Sequence, residues 1–134
     1  IEYRILNIDM VEKKQISSFT ELIVWQEGHK LVLMIYKQTK VFPAEERFSL
    51  TDQMKRASMS VTNNIAEGFG RKTYKDKLHF YYQSFGSISE LQNQMIIARD
   101  LKYISSTQYQ QLLTQQIIVS KLLQGIIKKT QTFI

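Results

Sequence analysis

A chain of 134 residues, 43% apolar, with one proline and no cysteine, is large enough for one helical domain around a single core and excludes disulfides and thiolate metal sites. No apolar run reaches the roughly 18 residues of a membrane span and no signal-peptide pattern is found, so a soluble, cytoplasmic protein is expected. The formal charge is +6, with nine bases against nine acids in residues 1–67 and nine bases against only Asp76, Glu90 and Asp100 in residues 68–134. The whole excess lies in the second half and favours an anionic partner, nucleic acid first.

Residues 1–16 read as an extension to the domain, which occupies residues 17–134. Ile1 is not a natural start, so the start is either missing or lies at Met10. The alternating apolar positions of IEYRILNI suit a short strand or ordered arm, and equally an untethered tail. Four times thereafter a Ser or Thr is followed three residues later by an acid or Gln: Ser18 with Glu21, Ser49 with Asp52, Thr73 with Asp76 and Ser105 with Gln108. This is the spacing at which a cap hydroxyl accepts a first-turn N–H and the later side chain reaches back. An apolar pattern of helical period follows each, predicting four helices over 18–40, 49–67, 73–102 and 105–131. Lys37 and Lys40, Arg71 and Lys72, Arg99 and Lys102, and Lys128 and Lys129 stand at or just past the four ends, where cations complement exposed carbonyls. Short connections make neighbouring helices antiparallel, so the expected fold is an all-α, up-down-up-down four-helix bundle. HFYYQSF at 79–85 and IIVSKLLQGII at 117–127 are more apolar than one stripe requires. Either the core is wide, or helices three and four mediate self-association.

The chemistry-bearing patterns are few. No Glu stands three positions before His29 or His79, so the ligand set of a di-iron bundle is lacking and no metal site is expected. GFG at 68–70 follows a helix, which fits neither a P-loop nor a dinucleotide fingerprint, and Gly68 is expected to end helix two in the left-handed conformation. There is no Gly-x-Ser-x-Gly elbow and no thiol, so no catalytic residue, no cofactor and no enzyme is expected. The remaining polar residues at helical spacing suggest a structural network, with Arg56 pairing Glu90 or Glu67 across helices two and three and Asn64 completing its hydrogen bonds. Gly86 suggests a close helix approach there, with Ser60 as the facing small residue.

Together these segments resemble the bacterial four helix bundle proteins, also known as the 23S ribosomal RNA intervening-sequence protein family. The matching residues are Val24-Trp25-Gln26 and Tyr36, then Phe42-Pro43 and Glu46, then Leu50, Gln53, Arg56-Ala57 and Ser60. They continue with Asn64-Ile65-Ala66-Glu67-Gly68, Gly70-Arg71, Phe80, Gly86-Ser87 and Glu90, and end with Ala98, Leu101 and Tyr103. The match runs from about residue 19 to residue 127. The resemblance implies an antiparallel four-helix bundle that assembles as a ring-like homopentamer and whose members are often encoded within insertions in large-subunit ribosomal RNA genes. A distant branch, the accessory variability protein of diversity-generating retroelements, is a basic pentamer that binds nucleic acid and a reverse transcriptase. This chain departs from the family in Lys75 and Lys77, where acidic residues are frequent, and in residues 1–16, which have no counterpart.

An up-down bundle puts the ends of helices two and four and the start of helix three at one pole. Arg71, Lys72, Lys75, Lys77, Lys128 and Lys129 then cluster, and a homo-oligomer multiplies them into a basic ring. RNA or DNA bound largely through phosphate is the expected partner, since Phe69 and Tyr74 are the few aromatic residues interleaved there. The alternative is a scaffold that docks an acidic or RNA-associated protein partner, and no membrane partner is expected.

Overall fold

In the computed structural model residues 16–134 are described, and the extension over 1–15 lies outside them. Ile16, at the boundary, packs half-buried against the core. Four long helices follow, α1 (Ile23–Thr39), α2 (Leu50–Gly70), α3 (Tyr74–Asp100) and α4 (Ser106–Gln131), with no strand among the described residues. Single 3-10 turns at Phe19–Glu21 and Ala44–Glu46 precede α1 and α2. None of the helices among the described residues is long and apolar enough to cross a membrane.

Three of the four expected caps form at the predicted spacing. Thr73 accepts from the Asp76 N–H, and Ser105 and Gln108 make a reciprocal box. Ser18 and Glu21 cap the 3-10 turn, because Leu22 then turns extended to bury its side chain, and α1 starts only at Ile23. Ser49 turns away from α2 and donates its hydroxyl to Glu46 Oε1 at 2.5 Å, so Ser49 does not cap α2, and the same Glu46 oxygen accepts from the Leu50 N–H instead.

The core is a stack of side chains at helical spacing. Leu31 and Ile35 from α1, Met54, Val61 and Ile65 from α2, Ile88, Leu91 and Met95 from α3, and Leu112, Val119 and Leu123 from α4 are all fully buried. Each such side chain stabilises by about 1.5–3 kcal/mol relative to exposure, less what the unfolded chain already buries. A wide core accounts for most of the excess apolar sequence. Val119, Leu122, Leu123, Ile126 and Ile127 are buried in IIVSKLLQGII, while Ile117 and Ile118 stay exposed.

The helices approach most closely where side chains are small. Gly28 of α1 leaves room for Thr62, whose Cγ2 is 3.0 Å from where a Cβ would stand. Along α2 and α3, Ser60 bonds Ser87 at 2.8 Å, Ser84 Oγ donates to the Val61 carbonyl at 2.7 Å, and Gly68 meets Tyr81. Further contacts join α1 to α2 (Tyr36 with Met59), and α3 to α4 and the residues just past it (Arg99 with Tyr109, Tyr74 with Phe133).

Two expectations about glycine are corrected. Gly68 does not end α2: the helix continues to Gly70, and none of the described glycines has a positive φ. A Cβ at Gly68 would lie 2.7 Å from Tyr81 Cε1 and 3.2 Å from the Lys77 carbonyl oxygen, so glycine is required there by space and not by conformation. Gly86, by contrast, has nothing within 4 Å of its Cβ position. The small contact expected there is made one residue on, by Ser87 with Ser60.

Candidate nucleic-acid interface

The end of the molecule where α2 stops and α3 starts is built on a three-residue connection, 71–73. Arg71 leaves the helix in extended conformation, pairs with Glu67 at 3.1 Å and lays its guanidinium 4.6 Å from the Phe80 ring centroid. Lys77, one turn into α3, reaches back and donates to the Phe69 carbonyl at 2.6 Å. It thereby satisfies one of the carbonyls that α2 leaves open at its C-terminus. Burial holds the Lys77 ammonium below its ordinary pKa. Lys77 thus caps α2 from a half-buried position at this end.

The end of α4 joins this region through two contacts to α3. Tyr74 stacks on Phe133 at 4.9 Å, and Gln131 Nε2 donates to the Tyr82 hydroxyl at 2.7 Å. Lys128 and Lys129 lie one turn before these contacts, Lys128 exposed and Lys129 half-buried. Lys72 and Lys75 are exposed, and no carboxylate among the described residues forms an ion pair with Lys72, Lys75 or Lys128. An open depression of about 620 Å³ runs along the end of α2, lined by Asn63, Ala66, Glu67, Gly70 and Arg71. Its charged side chains are already paired with each other.

The polar network expected around Arg56 is not assembled within the chain. Arg56 bonds Asp52 one turn back at 2.9 Å, an i, i+4 pair on the face of one helix, and is 75% exposed. Glu67 is taken by Arg71, and Glu90 is exposed with only a 3.5 Å contact from Gln94. Asn64 instead donates to the Ser60 carbonyl and hydroxyl, which places it beside the Ser60–Ser87 bond. The residues that tie the opposite end together are Glu46 and Tyr103. Glu46 accepts from Ser49, from the Leu50 N–H and from the Tyr103 hydroxyl at 2.7 Å, and these three hydrogen bonds, that from Ser49 foremost, lower its pKa. Tyr103 also packs on Phe42.

A four-helix, all-α protein with a basic end and, among the described residues, no group of three potential metal ligands defines the class. The family model described as 23S rRNA-intervening sequence protein matches residues 20–125. The chain belongs to that family. It is also similar to the crystal structure of a protein of unknown function from the S23 ribosomal protein family of Bacteroides thetaiotaomicron, with a TM-score of 0.74 and 21% identity over 79% of this chain and 99% of that one. That likeness establishes the fold. No curated protein matches the chain.

Proposed function

We propose that the protein is a non-enzymatic nucleic-acid-binding bundle, with its helices running up-down-up-down and its chains assembled as a homopentamer. The observation that carries this reading is the group Lys72, Lys75 and Lys128, exposed and without an ion-pair partner among the described residues, at the end that also holds Arg71. Charges in such a position release counterions from a polyanion. The family's description names 23S rRNA, so RNA is the first ligand to test. Contacts to phosphate predict affinity that falls steeply with salt, with a log–log slope near −0.9 per phosphate neutralised on a duplex and about −0.7 on a single strand. Fluorescence anisotropy with labelled RNA and DNA across about 50–200 mM salt measures it. No binding at the low end of that range would reject the reading.

Self-association is supported by large apolar side chains left open on the single chain, among them Leu33, Val41, Phe48, Ile117 and Ile118. Light scattering on the eluting protein should give the mass of five 15.8 kDa chains, and a monomer at micromolar concentration would overturn the assembly. One observation favours the scaffold alternative. Phe48 is 87% exposed beside Arg47 on the α1–α2 connection, a surface suited to an acidic protein partner. That reading predicts that Phe48→Ser abolishes capture of the partner while leaving RNA affinity unchanged.

A further inference from the structure

The basic end carries flat apolar surface as well as charge. Tyr74 and Phe133 stack with ring centroids 4.9 Å apart and planes 25° from parallel, so each ring is covered on one face by the other. Tyr74 is 45% and Phe133 51% exposed, and Tyr82, two turns along α3, is 49% exposed. The hydrogen bond from Gln131 to Tyr82 holds the end of α4 against α3, two residues before the Phe133 ring that stacks on Tyr74. Lys72 and Lys75 flank Tyr74 in sequence, and Lys128 lies just over one turn before Phe133.

A duplex offers such a surface its phosphates but hides its base faces in the stack. A single strand offers both, and base-on-aromatic stacking is indifferent to sequence because every base has a π-face. We infer that this end is a stacking platform for unpaired nucleotides and that its ligand is single-stranded nucleic acid. Bases lie on Tyr74, Phe133 and Tyr82, and phosphates on Lys72, Lys75 and Lys128. The inference rests on the nucleic-acid reading above and narrows it. A second copy docked about a twofold axis is a poorer occupant, because that contact would bring the same lysines face to face, and a head-to-tail ring contact is separated by the assembly mass measured below.

The test uses a labelled, non-self-complementary RNA strand of about 16 nucleotides, the same strand annealed to its complement, and the DNA counterparts of both. Affinity for single strands should exceed that for duplexes by about tenfold or more, and the RNA and DNA arms distinguish the two sources of unpaired bases. Tyr74→Leu with Phe133→Leu should lower single-strand affinity by about tenfold or more, leaving duplex affinity and the salt slope unchanged. Lys72→Gln, Lys75→Gln and Lys128→Gln together should weaken both ligands and flatten the slope. Equal affinity for strand and duplex, or an aromatic variant that loses nothing, would show phosphate contacts alone and overturn the inference while sparing the function. Absence of all RNA and DNA binding defeats the function itself. A drop in assembly mass for the aromatic variant, with its helical circular dichroism intact, would mark this surface as a contact between copies and also overturn the inference.

Discussion

At Gly68 and Gly86 the same residue sits in a helix for opposite reasons. An alanine methyl at 68 would meet the Tyr81 ring edge and the Lys77 backbone, neither the far end of a flexible chain. Gly68→Ala should therefore destabilise by about 1–3 kcal/mol despite alanine's better helix propensity. Gly86→Ala meets nothing and should stabilise the fold by up to about 1 kcal/mol. Urea unfolding of the two variants checks both signs, and a loss at both positions would contradict the assignment. Lys102 presents the complementary case. Its φ of 65 places a non-glycine residue in the left-handed region. The Lys102 and Tyr103 N–H groups close the end of α3 on the Arg99 and Ala98 carbonyls. Lys102→Gly should raise stability by up to about 1 kcal/mol by relieving the Cβ penalty, read as a higher midpoint in the same experiment.

Between elements, Glu46 is the joint that holds the α1–α2 connection to the end of α3. Its folded pKa is lowered below the ordinary 4.5 by the hydrogen bond from Ser49 and then that from Tyr103. A carboxylate of this kind contributes stability that is fully present above 4.5 and is lost as pH falls through the lowered folded value. The stability gap between the wild type and Glu46→Gln should be constant near neutrality and close as the solution is acidified below 4.5. A gap independent of pH would show that the carboxylate charge is not what the joint uses.

This joint also shows which parts of the molecule the sequence discloses. Helix existence and order are legible because apolar period and the Thr73 and Ser105 caps are local signals. Ser18 caps a 3-10 turn and not the long helix, because Leu22 is turned extended and buried, and Ser49 misleads because Glu46 takes its hydroxyl; neither fact is contained in cap spacing. Gly68 reads as a terminator because a glycine near a helix end serves conformation or space, and only the facing Tyr81 decides between them. At the candidate interface the bases are legible as helix-end residues, but Phe133 and Tyr82 are not, since their meeting with Tyr74 and Gln131 depends on the register of α3 against α4. Arg56 could be placed on a helix but not aimed, and its nearest carboxylate turned out to be one turn away on the same helix.

For the molecule as a whole, the seam between α2 and α3 has a kinetic consequence. Its hydrogen bond from Ser84 to Val61 spans 23 positions of sequence, whereas Gln115 reaches Glu27 across 88. Closing the shorter loop costs less entropy, so the α2–α3 hairpin can form before the α1–α4 seam that Gln115 closes. Ser84→Ala should then slow folding, and Gln115→Ala should chiefly accelerate unfolding. Stopped-flow chevrons separate the two arms, and a Ser84→Ala effect confined to unfolding would contradict this order. Because the short 71–73 connection and the Lys77 cap belong to that early hairpin, the segment carrying Arg71, Lys72 and Lys75 takes shape before the core it will crown is complete.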